Sequence, residues 1–198
     1  MAGAPTTPTF PTTLAPDDPD MLLQAAEAAK YRAFITVSAA KYGLPVCVVC
    51  GIGSRESEWG LALKPRGPAG TGDQAPRALK PRARPWAMPP DGLSWGRGLM
   101  QIDYEETDFA KTGPWRDPQA NIDKGCQMLS ENWKFFKAQP DLKVDPLRAA
   151  IAAYNRGQHG VLKDLKAGLD VDAHTAPPKR DYSRDVLNRA GWFQAAGW

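Results

Sequence analysis

The chain has 198 residues, which is enough to bury a hydrophobic core and favours a single domain. With 25 Lys and Arg against 22 Asp and Glu, its formal net charge of +3 is too small to indicate nucleic acid as a partner. The sequence has no apolar run of membrane-spanning length, so stable membrane insertion is not expected. Three cysteines are an odd number, which argues against a disulfide framework.

The first 17 residues are rich in proline, threonine and alanine and cannot bury much surface. This composition predicts a disordered N-terminal tail, with the folded domain covering 18–198. Residues 1–16 lack both the basic region and the apolar region of a secretory signal. We therefore expect a protein that is made in a cytoplasm or has already lost its signal.

Three Asp-Pro pairs each precede a helical pattern of apolar residues: Asp18-Pro19, Asp117-Pro118 and Asp145-Pro146. The Asp side chain can accept a hydrogen bond from a free amide of the first helical turn, and Pro has no amide to leave unpaired. The pairs therefore predict three helix starts. Gly43 is the predicted end of the first helix and Gly157 of the third.

Residues 46–52 are apolar on every side, which predicts a buried central helix, with a short buried strand as the alternative. Cys47 and Cys50 within it form a C-x-x-C pair. No second pair or paired histidines follow at metal-binding spacing, so we interpret them as small core residues and expect no metal and no cofactor.

Two carboxylates, Glu56 and Glu58, follow this apolar run directly. A carboxyl at the exit of a buried helix is poorly solvated, which favours its neutral form and allows it to serve as a general acid. We identify Glu56 as the candidate acid. The alternative is that both residues are solvated charges at a helix end.

A segment rich in proline and basic residues covers about 64–94, and its prolines exclude regular helix. Its six Lys and Arg residues are Lys64, Arg66, Arg77, Lys80, Arg82 and Arg84, against the two acids Asp73 and Asp91. Two interpretations stay open: a solvated surface excursion, or a basic lip that binds an anionic polymer.

Residues 99–103 alternate well enough to predict a short strand that ends at Asp103, a second carboxylate that could face Glu56. A short helix is predicted within 104–111, another near 161–166, and a last one around 181–187. Tyr154 and Asn155, near the end of the third capped helix, could bind a polar ligand or could simply cap and pack.

Four separated segments, taken together, resemble the ordered motifs of goose-type lysozymes, and the first three also those of soluble lytic transglycosylases. They are Ser54-Arg55-Glu56-Ser57, Gly98-Leu99-Met100-Gln101-Ile102-Asp103, Ala152-Ala153-Tyr154-Asn155-Arg156-Gly157, and the stretch from Asp181 to Ala190. The resemblance covers about residues 21–195. It implies an α+β, predominantly α-helical, lysozyme-like fold with a small β-region and a peptidoglycan groove between lobes.

The resemblance also implies roles for individual residues. Glu56 would be the general acid, Met100 and Gln101 would line the groove, and Tyr154 and Asn155 would contact the sugar. Tyr182 is expected near the acid.

Two aspartates position the hydrolytic water in goose-type lysozymes, and Asp103 matches one by its place after the Met-Gln-Ile run. The other is either Asp73, which follows Gly70-Thr71-Gly72, or Asp91, which lies nearer the Gly-Leu-Met motif. The insertion and the missing cysteine pairs fit a bacterial or bacteriophage version of the family.

The resemblance therefore predicts a monomeric, inverting muramidase that acts on peptidoglycan glycan strands. A lytic transglycosylase, which forms 1,6-anhydromuramic ends, is the nearest alternative, and a non-catalytic peptidoglycan-binding module is a second. The expected place of action is the bacterial cell wall or periplasm. Without a visible signal, the protein would be released through a holin, injected, or trimmed from a longer precursor.

Overall fold

The structure is a computed structural model, and it describes residues 8–78, 86–175 and 181–198. Most of the described chain that is regular is helical. The helices are α1 (Pro19–Ala29), α2 (Arg32–Tyr42), α3 (Val46–Ser57), α4 (Asp108–Thr112), α5 (Pro118–Lys137), α6 (Pro146–Arg156), α7 (Gln158–Lys166) and α8 (Tyr182–Ala195).

A small antiparallel sheet supplements the helices. Strand β1 (Thr71–Gly72) pairs with β4 (Gly96–Arg97), which also pairs with β5 (Ile102–Asp103). A separate two-stranded pairing joins β2 (Arg77–Ala78) to β3 (Trp86–Ala87). The predicted α+β, predominantly helical fold with a small β-region is confirmed.

The three Asp-Pro helix starts are confirmed. The carboxylate of Asp18 accepts a hydrogen bond from the amide of Met21 at 3.0 Å, as Asp117 does from Ala120 at 2.7 Å. At the start of α6 the carboxylate of Asp145 accepts from the Leu147 amide at 2.9 Å. Each bond satisfies an amide that the helix itself leaves free.

The segment that follows Asp18 forms two helices, where the sequence predicted one. The amides of Lys30 and Tyr31 bond the carbonyls three residues back, which tightens and ends α1. The Tyr31 ring then stacks on Trp59 with the ring centroids 6.2 Å apart. Helix α2 ends at Gly43 in the left-handed conformation, as predicted.

Helix α3 is the buried central helix that the apolar run predicted, and the strand alternative is wrong. Cys47 and Cys50 are buried free thiols in the main core, as their interpretation as core residues requires. Helix α8 packs against α3 so closely that a Cβ on Gly51 would lie 2.6 Å from the carbonyl oxygen of Val186. The two helices therefore meet backbone to backbone.

Residues 8–17 differ from the predicted disordered tail, whereas 1–7 lie outside the described residues. The amide of Phe10 donates to the side chain of Gln194 at 2.9 Å, and the Trp192 indole donates to the Ala15 carbonyl at 2.8 Å. Phe10 also packs against the core. Composition alone predicted disorder, but a proline-rich segment can lie extended along a helix, here α8, without burying much surface of its own.

The region after β4 also differs in detail from the prediction. The strand predicted over 99–103 is limited to its last two residues, because Gln101 has a φ of 47°, which extended backbone excludes. The helix predicted within 104–111 begins at Asp108, where the Thr107 hydroxyl caps it.

In the proline-rich segment, the described residues form no α-helix. Residues 79–85 of that segment, and the Pro177-Pro178 pair, lie outside the description.

Within the described ranges, no single helix is both long and apolar enough to cross a membrane. One bent pair, Arg32–Tyr42 with Val46–Gly60, meets the requirement jointly by length and composition.

We expect Gly51→Ala to destabilise the protein by about 1–3 kcal/mol, because the added methyl would force α8 away from α3. Chemical denaturation monitored by circular dichroism measures this change. Gly160→Ala in α7 is the matched control, since its nearest neighbour would be 3.8 Å away. That variant should be neutral or more stable by up to about 1 kcal/mol. Equal effects at both positions would contradict the close α3–α8 contact.

Candidate active site

Glu56 lies in the last turn of α3, where α8 covers it. The Tyr182 hydroxyl donates a hydrogen bond to its Oε1 atom. Burial raises the pKa of Glu56 to about 7, although the Tyr182 hydrogen bond and the nearby charge of Arg55 act in the opposite direction. Near neutral pH this carboxyl is therefore partly protonated.

The other three members of the Ser-Arg-Glu-Ser motif each hold a different neighbour. The Ser54 hydroxyl accepts from Arg189 of α8 at 2.9 Å. The Arg55 guanidinium lies 3.2 Å from Asp185 of the same helix. The Ser57 hydroxyl donates to the Leu99 carbonyl at 2.7 Å, which ties the end of α3 to the segment after β4. The residues around Glu56 are thus held by α8 on one side and by the segment after β4 on the other.

Three acidic residues, Glu56, Asp73 and Asp103, line one cavity of about 210 Å³. Its remaining lining residues are Arg77, Gly96, Gln101, Tyr154 and Asn155. The cavity has room for several water molecules, at about 30 Å³ each. Residues from distant parts of the chain therefore converge on one polar pocket.

A larger cavity of about 560 Å³ continues from this pocket and shares Gln101, Asp103 and Tyr154 with it. It is extended by polar residues of α5 and of the α6–α7 junction, among them Glu131, Asn132, Arg156, Gln158 and His159. We call the two cavities together the groove. Its size and polar lining suit an extended polar ligand.

Gln101 lies against the sheet at the floor of the groove. Its side-chain oxygen is so close to Gly72 and Gly96 that a Cβ on either glycine would clash with it. Its amide nitrogen donates to the Gly98 carbonyl at 2.8 Å. Two adjacent strands therefore carry glycine where the Gln101 amide crosses them.

Tyr154 and Asn155, at the end of α6, both line the groove. The Tyr154 hydroxyl donates to the Met100 carbonyl at 2.8 Å, and burial raises its pKa well above the usual value. Met100 itself differs from the prediction: its side chain is 1% exposed and packs in the core against Gly125. Only its carbonyl takes part in positioning a groove residue.

The carboxylates of Asp73 and Asp103 are joined by one guanidinium group. Arg77 donates through Nη1 to Asp103 at 2.5 Å and through Nε to Asp73 at 3.0 Å, and its Nη2 also donates to Asp73. Asp103 accepts a further hydrogen bond from the Glu105 amide at 2.8 Å. The sequence placed Arg77 only among the basic residues of the proline-rich segment.

Asp91 and Glu58 do not line either cavity of the groove. Asp91 pairs with the fully buried Arg97 at 2.9 Å. Burial raises the pKa of this carboxyl, but the hydrogen bonds from Arg97 and the Leu93 amide, together with the charge of Arg97, lower it below its usual value. Glu58 is exposed beyond the end of α3, in the left-handed conformation. Of the acidic candidates, the structure thus brings together Glu56, Asp73 and Asp103.

Among the described residues, no group of three or more His, Cys, Asp and Glu side chains could hold a metal ion.

We expect Tyr182→Phe to raise the pKa of Glu56 above about 7, because the lost hydrogen bond favours the ionised carboxyl. A carbon-13 NMR titration of labelled glutamate measures this shift directly. Tyr154→Phe is the matched control, since that hydroxyl donates to a backbone carbonyl and not to Glu56. A lower Glu56 pKa in the Tyr182 variant would contradict the assigned donor.

The comparisons with known proteins agree with the resemblance seen in the motifs. A family model described as lysozyme g matches residues 90–197, a span that includes Asp103, Tyr154 and Tyr182 but begins after Glu56 and Asp73. Lysozyme g of Takifugu rubripes is 29% identical over 171 residues, covering 83% of this chain and 74% of the relative. Lysozyme g of Epinephelus coioides is 28% identical over 173 residues, covering 83% and 75%. That of Cyprinus carpio is 26% identical over 175 residues, covering 87% and 77%.

These relatives are fish proteins, so the bacterial or bacteriophage origin stays a prediction. The family match covers more than half of the chain, and the fold and the order of the motifs agree with it. The chain belongs to the lysozyme g family, the goose-type lysozymes, and is a glycoside hydrolase.

Proposed function

We propose that this lysozyme hydrolyses the β-1,4 bond between N-acetylmuramic acid and N-acetylglucosamine in peptidoglycan by an inverting mechanism. Glu56 is the general acid, and Asp73 with Asp103 holds the attacking water. The observation that carries the proposal is the convergence of these three carboxyl groups on one cavity. The substrate lies outside the cytoplasmic membrane, so the proposed place of action is the cell wall.

Glu56 suits the role of acid because its surroundings differ from those of the two aspartates. Burial holds its pKa at about 7, so a protonated fraction is available near neutral pH. That proton passes to the glycosidic oxygen of the leaving N-acetylglucosamine as the bond to the anomeric carbon breaks. The Tyr182 hydroxyl then stabilises the carboxylate that remains.

The aspartates suit the other half of the reaction because they stay paired with a cation at the solvent-accessible side of the cavity. Their side chains are 41% and 24% exposed, and both contact Arg77. A water held there attacks the anomeric carbon from the face opposite Glu56 and gives up a proton to a carboxylate. Attack from that face inverts the configuration.

Asp73, and not Asp91, is the proposed partner of Asp103. Asp73 lines the same cavity as Glu56, whereas Asp91 neutralises the buried Arg97. A carboxylate that offsets a fully buried cation is costly to divert to another task. Asp91 thus has a structural role in holding the end of the proline-rich segment against the sheet.

The remaining groove residues are proposed to bind the glycan. Gln101, Asn155 and Tyr154 line the cavity, and their side chains carry amide and hydroxyl groups. Amide and hydroxyl groups complement the hydroxyls and acetamido groups of a sugar chain. Met100 is left out of the binding set, because its side chain is buried.

We expect Glu56→Gln to lower the rate of peptidoglycan cleavage by at least about 100-fold, since the amide cannot donate the acidic proton. Release of soluble muropeptides measures the rate, and circular dichroism checks folding. Glu58→Gln is the matched control and should keep wild-type activity, because Glu58 is exposed and outside the groove. Retained lysis by the Glu56 variant would contradict the assignment.

Mass spectrometry of the wild-type products tests the reaction type. Reducing N-acetylmuramic ends support hydrolysis. Anhydro-muropeptides would mean that the muramyl 6-hydroxyl, and not water, attacks, as in a lytic transglycosylase. Binding to insoluble peptidoglycan without any soluble product would support a non-catalytic module.

We expect activity to fall as pH rises through about 7, because the general acid is lost as Glu56 ionises. A profile of kcat/KM against pH measures the position of this basic limb. In Tyr182→Phe the limb should move to higher pH, in the direction of the Glu56 pKa. A basic limb that stays fixed in that variant would show that another group controls it.

A further inference from the structure

Arg77 is the single cation that touches both aspartates among the described residues of the groove. It belongs to the proline-rich segment and lies in β2, which pairs with β3. Its guanidinium contacts Asp73 through two nitrogens and Asp103 through the third. The planar fork of arginine suits such a bridge, because its donors lie in fixed directions.

Arg77 packs on Trp95, the buried residue that precedes β4. Its guanidinium lies over the Trp95 ring, with the carbon 5.0 Å from the ring centroid. The Trp95 indole donates to the Ala75 carbonyl at 3.0 Å, and the Trp95 amide donates to the Asp73 carbonyl at 3.2 Å. Asp73, Ala75 and Arg77 thus all contact one buried aromatic residue.

We propose that Arg77 is a positioning residue for hydrolysis: it holds Asp73 and Asp103 at a fixed separation and directs one of them to the attacking water. This inference rests on the proposed function. Two carboxylates that line one small cavity repel each other, and a cation between them offsets that repulsion. Without Arg77 the two side chains would move apart toward solvent, and the water would lose its fixed position.

The hydrogen bonds distinguish the two aspartates. Both oxygens of Asp103 are engaged, one by Arg77 and one by the Glu105 amide. Asp73 uses only its Oδ2 atom for Arg77, and its Oδ1 atom has no hydrogen-bond partner in the described part of the chain. Asp73 is therefore the residue that takes the proton from water, and Asp103 is the anchor that holds Arg77 in place.

The test measures kcat and KM of Arg77→Ala on soluble glycan fragments, with reducing ends as the readout. We expect kcat to fall about 10- to 100-fold with KM nearly unchanged, because charge-assisted hydrogen bonds of this kind are lost. Added guanidinium at millimolar concentration should restore part of the lost kcat. Arg77→Lys should fall between the wild type and the alanine variant, since a point charge cannot bridge both carboxylates in one plane.

Arg116→Ala is the matched control, because it removes the same charge from an exposed site outside the groove and should leave kcat unchanged. An Arg77→Ala enzyme with wild-type kcat, or with only KM raised, overturns the proposal. So does a loss of kcat that guanidinium does not restore. If the alanine variant does not fold, Arg77→Lys decides: a reduced kcat in the folded protein supports the proposal, and a wild-type kcat overturns it. Failure of the proposed function is distinguishable, since the wild-type enzyme would then yield no reducing ends.

Discussion

The backbone contact between α3 and α8 is the constraint on which the site depends. Because Gly51 has no side chain, the carbonyl of Val186 can approach it directly, and Ala190 packs beside it. Toward the end of α3 the contacts move to earlier residues of α8. Arg55 meets Asp185, and one residue further Glu56 meets Tyr182. A wider spacing between the helices would expose the acid and separate it from its hydrogen-bond donor.

The general acid and the two aspartates lie in different environments, and each environment suits the proposed role of the group in it. The acid lies on a buried helix, where desolvation raises its pKa. Asp73 follows β1 and Asp103 ends β5, which are the two outer strands of a sheet whose strands have two residues each, and both side chains remain accessible to water. Ser57 joins the halves through the Leu99 carbonyl, and Tyr154 does the same through the Met100 carbonyl. One cavity thus brings together a desolvated carboxyl group and two carboxyl groups that are paired with a cation.

Local sequence signals predicted the features that depend on neighbours along the chain. The Asp-Pro starts, the Gly43 end and the buried α3 all follow from capping and apolar patterning. The break between α1 and α2 did not, and it lies where Tyr31 stacks on Trp59 from another part of the chain. The ordered packing of residues 8–17 was also missed, since the hydrogen-bond partners of this segment are in α8.

In the candidate site, too, some residues were predicted from the sequence and others could be assigned only from the fold. The motifs predicted Glu56, Asp103, Gln101, Tyr154, Asn155 and Tyr182 as residues of one groove, and the structure brings them together. Met100 was misassigned because a motif position does not say whether the side chain or the carbonyl faces the ligand. The sequence left Asp73 and Asp91 as equal candidates, because only the fold shows that one lines the cavity and the other neutralises Arg97.

The proline-rich segment does not disturb the site, because it leaves the sheet after β1 and returns at the neighbouring strand β4. Asp73 follows β1 directly, Trp95 precedes β4, and these two strands are neighbours. The backbone bond between Trp95 and Asp73 closes the base of the segment, so its length has little effect on the strands below. Loop-closure free energy rises slowly with length, by about 0.6 kcal/mol per doubling. A segment anchored in this way can vary in length and sequence, provided that it keeps a cation at the point where Arg77 enters the groove.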